Sequence, residues 1–117
     1  MKYMALIYAN GSGWDQLSED EQKAIFAEYQ ALSDDPKTIG GNQLAGADTA
    51  TTVRVQGGET LTTDGPFVET KEELGGYYLI EADDLDEAIA LAERIPAARS
   101  GTIEVRPLVP QMAETTA

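Results

Sequence analysis

The fold is decided by residues 2–8, KYMALIY, an apolar run typical of a β-strand. Alternate side chains of a strand point to opposite faces of its sheet. Each face therefore carries three apolar side chains, with Met4, Leu6 and Tyr8 on one face and Tyr3, Ala5 and Ile7 on the other. Residues 77–80, YYLI, repeat this pattern. Because a sheet with one face in water alternates apolar and polar residues, both faces of this sheet need a cover.

Two helices can cover only one of these faces. The second cover is a second copy of the chain, the segment 36–48, or a ligand. A symmetric dimer that packs sheet against sheet is a common solution, and it leaves a pocket between the two sheets. We therefore predict a homodimer. The alternative is a monomer in which residues 36–48 fold over half-exposed tyrosines.

Capping residues mark the two helices. Ser18 is followed three residues later by Glu21, which predicts a capping box at the start of the first helix. Asp84 and Glu87 predict the same arrangement at the start of the second helix. Each helix ends at the proline that follows it, since the residue before proline avoids the helical conformation.

The segments between the helices are predicted from turn residues and alternation. Residues 36–48 are rich in glycine and small polar residues, and we predict a loop there. From Thr49 the pattern becomes extended, and Gly57-Gly58 predicts a tight turn. Glu59 to Thr63 return as the other half of a hairpin arm, which extends the second strand. Residues 102–106 form the last strand.

The resulting order, β-α-β-β-α-β with an extra hairpin arm, predicts an α+β ferredoxin-like fold. Both helices lie on one face of the sheet. Residues 1–109 form a single domain, and residues 110–117 form a C-terminal tail.

Composition excludes several functions. Eight basic and 21 acidic residues give a formal charge of −13, which disfavours binding to nucleic acid or to a membrane surface. The chain has no cysteine and no histidine, so we expect no disulfide, no Ser-His-Asp triad, no zinc or haem site and no cofactor. The N-terminal apolar run is too short for a signal peptide, and we expect a cytoplasmic protein.

The most distinctive stretch is residues 63–78, TDGPFVETKEELGGYY. Asp-Gly-Pro is typical of a turn, and the purely structural interpretation is a loop with Phe67 as its hydrophobic plug. The stretch resembles the signature of the YciI-like (YCII-related) family, in its DGPF-motif branch. The start at Lys2 and the ending at residues 103–107, IEVRP, fit the same family.

The resemblance implies a dimeric α+β barrel built from ferredoxin-like subunits. It also implies an association with extracytoplasmic-function sigma factors, because many family members are encoded beside them or fused to them. Some relatives in the wider family look enzymatic and carry a histidine paired with an aspartate. This chain has no histidine, so that dyad has no counterpart here and enzyme status stays open.

Six side chains are candidates for a site in the intersheet pocket: Asp64, Lys71, Arg54, Arg106, Tyr8 and Tyr78. The carboxylate of Asp64 can act as a general acid or base if the pocket raises its pKa. The three cations can hold an anionic group of a ligand, and the tyrosines supply hydroxyl donors. Turn formation, surface ion pairs and packing are the structural alternatives for these residues.

These observations lead to two predictions from different classes. The first is a protein that binds a small anionic or polar molecule, with Asp64 as the acid/base of a cofactor-free lyase, isomerase or hydrolase. The alternative is a non-catalytic regulatory module that acts with an extracytoplasmic-function sigma factor, through its acidic surface. A cofactor-free monooxygenase is a third reading, based on fold analogy alone.

Overall fold

The computed structural model describes residues 1–11 and 13–110. The six strands are β1 (Lys2–Ala9), β2 (Thr38–Gln43), β3 (Thr51–Gln56), β4 (Glu59–Asp64), β5 (Glu73–Glu81) and β6 (Thr102–Pro107). The helices are α1 (Glu19–Asp34) and α2 (Leu85–Ala92), with 3-10 turns at Trp14–Gln16, Ala47–Thr49 and Pro96–Arg99. The predicted tail, residues 110–117, lies outside the described residues except for Pro110.

Four strands form one antiparallel sheet in the order β2-β5-β1-β6. Strands β1 and β2 flank α1, and strands β5 and β6 flank α2. In the sheet the strands of these two pairs alternate, with β5 and β1 in the centre, which is the topology of the ferredoxin-like fold. The predicted α+β class is confirmed. None of the helices in the described residues is both long and apolar enough to span a lipid bilayer.

The segment 36–48, predicted as a loop, instead contains β2 at the edge of this sheet. Its sequence, TIGGNQ, lacks the apolar alternation on which the sequence-based assignment depends. A glycine is needed at position 41 because the edge strand approaches β5 closely there. A Cβ atom on Gly41 would lie 2.6 Å from the carbonyl oxygen of Tyr77. The alternative in which residues 36–48 fold over the sheet as its second cover is therefore wrong.

The hairpin forms a separate two-stranded sheet of β3 and β4, which we call the arm. The prediction that it extends the second strand is wrong, because β2 already occupies that place in the four-stranded sheet. The predicted turn is confirmed: Gly57 and Gly58 have φ of +58° and +80°, as a two-residue turn of type I′ requires.

The helices begin at the predicted capping residues. The Ser18 hydroxyl accepts a hydrogen bond from the Glu21 N–H (3.1 Å), and the Ser18 N–H donates to the Glu21 carboxylate (3.1 Å). The Asp84 carboxylate accepts a bond from the Glu87 N–H (2.9 Å). Glu87 itself accepts from the Asp83 N–H, one residue before the predicted partner.

The core lies between the helices and one face of the sheet. That face, the helix face, carries Tyr3, Ala5 and Ile80, which are buried, and Ile7, Ile103 and Val105 pack beside them. The helices and the segment after α2 contribute Leu32, Ala88, Leu91, Ala92 and Ile95. Four of the nine buried hydrophobic residues are alanines, which let the helices approach the sheet closely but bury little apolar area.

The arm extends away from this core. Every residue of β4 is exposed. The radius of gyration is 16.7 Å, whereas a compact chain of this length has about 13 Å. At its base the Gly65 N–H donates to the Ala50 carbonyl, and the Thr52 hydroxyl donates to the Gly65 carbonyl (both 2.7 Å). Gly65 needs its positive φ of +92° to close this junction.

Candidate functional site

The face of the four-stranded sheet opposite the helices carries an apolar stripe, and we call it the open face. Strand register places six apolar or aromatic side chains there: Met4, Leu6 and Tyr8 from β1, and Leu74, Tyr77 and Leu79 from β5. All of them except Leu74 are half-buried, and Leu74 is 39% exposed. The sequence-based inference that the sheet is apolar on both faces is confirmed, and the helices cover only one of these faces.

Polar groups border this stripe on both sides. From β2, the Asn42 side-chain amide donates to the Tyr77 hydroxyl (3.3 Å). On β6, the Arg106 Nε–H donates to the Glu104 carboxylate (2.8 Å), and both side chains are partly exposed. An apolar plate with a phenol on one side and a guanidinium on the other can bind a flat molecule by its face and its oxygen atoms by their edges.

Two of the predicted site residues lie on the open face, at opposite ends of it. Arg106 is paired with Met4, whereas Tyr8 is paired with Thr102. Four residues of strand separate these positions, which is ~13 Å. Arg106 and Tyr8 therefore belong to one surface but cannot hold the same small group together.

Tyr78 lies on the helix face. It is paired with the fully buried Ala5 and packs against the core. It also lines a shallow pocket of about 270 Å³ between α1 and β2, beside Ser33, Thr38 and Gly41. The tyrosine that does reach the open face is Tyr77, which the sequence did not single out. The strand alternation indicates Tyr77 once it is known which set of alternate residues faces the helices.

On the helix side, Tyr78 lies near a second partly buried tyrosine, Tyr29. Burial raises the pKa of the neighbouring Tyr29, and the proximity of Tyr78 raises it further. Tyr29 therefore stays protonated at neutral pH. This surrounding suits packing, and it separates Tyr78 from the intersheet pocket that was predicted for it.

Asp64 and Arg54 lie on the arm, on opposite faces. The register pairs Asp64 with Thr51 and Arg54 with Leu61. Asp64 therefore shares its face with Val53 and Val55, and both Asp64 and Arg54 are exposed. Within the described residues, no part of its own chain encloses the Asp64 side chain.

The segment 65–72 connects the arm to β5 and holds the remaining candidate, Lys71, which is exposed. Phe67, interpreted from the sequence as a hydrophobic plug, is 76% exposed and plugs nothing in the single chain. The six predicted site residues are thus divided among the open face, the helix face, the arm and this segment. Within the described residues, no group of three or more acidic side chains could hold a metal ion.

Comparisons with known proteins agree with this architecture. The family model of the YCII-related domain matches residues 1–111. An uncharacterized protein of Rhizobium meliloti (strain 1021) is 36% identical over 114 residues, 92% of either protein. The solved structure of 5-chloro-2-hydroxyhydroquinone dehydrochlorinase from Burkholderia phenoliruptrix AC1100, in complex with 2,5-dihydroxybenzoquinone, matches with a TM-score of 0.53. The match covers 97% of this chain and 98% of that chain at 18% identity, and it shows the fold alone.

Proposed function

Because the chain belongs to the family of YCII-related domains, we propose that it binds a small, flat, oxygen-bearing molecule on the open face of its sheet. We propose further that it acts on this molecule as a cofactor-free lyase, isomerase or hydrolase. A lyase is favoured among the three, since the structural neighbour is named a dehydrochlorinase. The observation that carries the proposal is the apolar open face, bordered by Tyr77 and Arg106.

The chemistry of the open face suits such a ligand. Met4, Leu6 and Leu79 offer apolar contact to one side of a ring, which is the main source of affinity for a small molecule. The Tyr77 hydroxyl and the Arg106 guanidinium meet oxygen atoms at the ring's edge. The guanidinium has five N–H donors, of which the bond to Glu104 uses the Nε–H.

A second copy of the chain, packed against the open face, encloses the ligand. Enclosure excludes water and strengthens every charged interaction in the pocket. It also gives Asp64 a role as general base, because an enclosed carboxylate is held against the substrate and away from bulk water. In an elimination, Asp64 takes the proton while the leaving group departs with the electron pair of its bond to carbon.

Calorimetry with 2,5-dihydroxybenzoquinone tests the binding site. We expect Arg106→Gln to weaken binding by about 10-fold or more, because it replaces a charge-assisted hydrogen bond with a neutral one. We expect Tyr77→Phe to weaken binding less. Tyr78→Phe is the matched control on the helix face and should leave binding unchanged. Loss of binding in the control alone, or no heat with the wild-type protein at millimolar probe, would contradict the proposed site.

Chloride release from 5-chloro-2-hydroxyhydroquinone tests the catalytic step. Asp64→Asn removes the base but keeps the shape of the side chain. We expect a fall of about 100-fold or more in kcat, with the affinity for 2,5-dihydroxybenzoquinone unchanged. A protein that binds the quinone but releases no chloride even as wild type is a binding module rather than a lyase for this substrate.

Association with a sigma factor, the alternative function, stays a prediction. It would use the acidic outer surface rather than the open face. The two proposals therefore respond to different variants. Substitutions at Tyr77 and Arg106 alter ligand binding, whereas a partner that recognises the acidic surface responds to neutralisation of exposed carboxylates on the helices.

A further inference from the structure

Glu72 brings a carboxylate to the open face. It is the residue before β5, and its Oε1 accepts a hydrogen bond from the Thr102 hydroxyl of β6 (2.7 Å). Thr102 belongs to the same alternate set of β6 residues as Glu104 and Arg106, so its side chain lies on the open face. Strand β1 lies between β5 and β6. The bond therefore crosses the sheet beside Tyr8, which is paired with Thr102.

The carboxylate is fixed through both its backbone and its side chain. The Thr70 hydroxyl donates to the Glu72 carbonyl, and the Thr102 hydroxyl donates to the Glu72 side chain. Glu72 is half-buried, whereas its neighbours Lys71 and Glu73 are exposed. A carboxylate held in this way is preorganised for a ligand, because little further side-chain freedom is lost when the ligand binds.

The bond to Thr102 leaves the carboxylate able to accept further hydrogen bonds. It uses Oε1, and an ionised carboxylate offers about four acceptor positions and no donor. Arg106, toward the opposite end of the face, offers donors and no acceptor. The two ends of the open face therefore need opposite partners, an acceptor oxygen beside Arg106 and a donor group beside Glu72.

The spacing of the two ends suits one aromatic ring. Arg106 and Thr102 are separated by four residues of β6, which is ~13 Å, and the guanidinium bonds to Glu104, which lies between them. A six-membered ring with oxygen atoms on opposite carbons, and a hydrogen bond of ~2.8 Å at either end, fits within this span. Leu6, which is paired with Glu104, offers apolar contact to the face of such a ring.

We propose that Glu72, held by Thr102, accepts a hydrogen bond from a ring hydroxyl of the ligand, so that the open face selects phenols over rings whose oxygen atoms only accept. The inference rests on the proposed function for the position of the ring. It adds the class of the ligand, a ring with a free hydroxyl opposite an acceptor oxygen. Glu72 is then a specificity-determining residue, and Thr102 is the residue that positions it.

Two ligands that differ in the donor test this selection. Hydroquinone has two ring hydroxyls, whereas 1,4-dimethoxybenzene keeps the ring and both acceptor oxygens but has no donor. Each is titrated to millimolar concentration into the oxygen-free protein, and binding is followed by changes in NMR chemical shift. The quantity of interest is the ratio of the two dissociation constants. We expect the wild-type protein to bind hydroquinone about 10-fold or more tightly, since a bond to a charged acceptor is the stronger kind.

Glu72→Gln should reduce this preference. The glutamine keeps an oxygen for the bond from Thr102, so the segment stays in place, but its neutral amide is a weaker acceptor for the ligand. We expect the ratio to fall by about 5-fold or more, with the affinity for 1,4-dimethoxybenzene unchanged. Glu73→Gln removes the same charge from the adjacent exposed residue and is the matched control, which should keep the wild-type ratio.

Thr102→Val tests the positioning role, because it removes the hydroxyl and keeps the shape of the side chain. We expect a similar loss of preference although Glu72 is intact, again with the affinity for 1,4-dimethoxybenzene unchanged. Thr102→Ser restores the hydroxyl and should restore the preference for hydroquinone. A residue that only stabilises the fold would change the affinities for both ligands together.

The outcomes separate this inference from the proposed function. If Glu72→Gln and Glu73→Gln change the ratio equally, or if neither changes it, Glu72 only ties its segment to β6, and the site at Tyr77 and Arg106 stands. A wild-type protein that binds 2,5-dihydroxybenzoquinone but does not prefer hydroquinone to 1,4-dimethoxybenzene likewise overturns only the selection. Absence of binding for all three compounds overturns both proposals.

Discussion

The two faces of the four-stranded sheet have similar apolar composition and very different surroundings. On the helix face, Tyr3 and Ile80 are 4% and 2% exposed beneath the helices. On the open face, their neighbours Met4 and Leu79 are only half-buried. The difference shows that an apolar strand pattern identifies a face that will be covered, but not whether the cover comes from the same chain.

The faces also differ in the size of their side chains. The helix face and its helices use Ala5, Ala82, Ala88 and Ala92, and the largest fully buried side chains are Ile80 and Ile95. The open face instead uses methionine, leucine and tyrosine. A small core of this kind gives limited stability to a single chain. Burial of the larger open-face residues against a second copy would contribute substantially to the stability of the fold.

The largest expected effect is on the free energy of unfolding, which should respond differently to substitutions on the two faces. Ile80→Ala should lower the free energy of unfolding by about 2–4 kcal/mol, since it leaves a cavity in the core. Leu79→Ala removes a half-buried side chain and should cost only about 1 kcal/mol in dilute solution. Urea denaturation at submicromolar protein measures both.

Protein concentration sharpens this comparison. If the open face is an interface, raising the concentration stabilises the wild-type protein by mass action, and the cost of Leu79→Ala increases with it. The cost of Ile80→Ala changes little, because that side chain is buried in each chain alone. If the two variants lose the same unfolding free energy and the loss does not depend on protein concentration, the open face is not an interface between copies.

A charge on the open face should dissociate the dimer. Leu79→Glu buries a carboxylate without a partner, and we expect the dimer dissociation constant to rise by about 100-fold or more, which is about 2.7 kcal/mol. Ala90→Glu adds the same charge at an exposed position of α2 and is the matched control. Sedimentation velocity measures both variants. Equal dissociation by the two would attribute the effect to net charge and not to the open face.

The fold was predictable where local signals agree with the tertiary structure. The capping residues Ser18 and Asp84 and the turn Gly57-Gly58 are local, and they were predicted correctly. Strand β2 was missed because its sequence reflects its contact with strand β5 and not a hydrophobic alternation of its own. Gly41 accommodates the backbone of β5, a long-range contact that hydrophobic periodicity does not record.

The site was only partly predictable, for two distinct reasons. Tyr78 was predicted as a site residue and Tyr77 was not singled out, and the sequence shows two parities of a strand but not which one the helices cover. That choice depends on the crossing of distant helices over the sheet. The separation of Asp64 from Arg54 was readable, since a two-residue turn at Gly57-Gly58 fixes the register and places them on opposite faces of the arm.

The smallest expected effect concerns the ion pairs beside the helix face. The apolar stripe of the open face consists of uncharged side chains. The Lys37 ammonium at the start of β2 lies 2.8 Å from the Glu87 carboxylate of α2. This hydrogen bond raises the pKa of Lys37 and lowers the pKa of Glu87 from their ordinary values of 10.5 and 4.5. The backbone N–H of Lys37 and then the Arg94 guanidinium lower the pKa of Asp35.

The direction of each shift fixes its pH dependence. A carboxylate with a lowered pKa stabilises the fold above its ordinary value, and this contribution is lost as the pH falls through the lowered pKa. Lys37, with its pKa raised, contributes below pH 10.5 and loses that contribution above it. Glu87→Gln should therefore lower the melting temperature slightly at pH 7, and the difference from wild type should vanish in acid well below pH 4.5. Glu93→Gln, at the exposed end of α2, is the matched control, and an equal loss in both variants would show that the ion pair does not hold β2 to the helix.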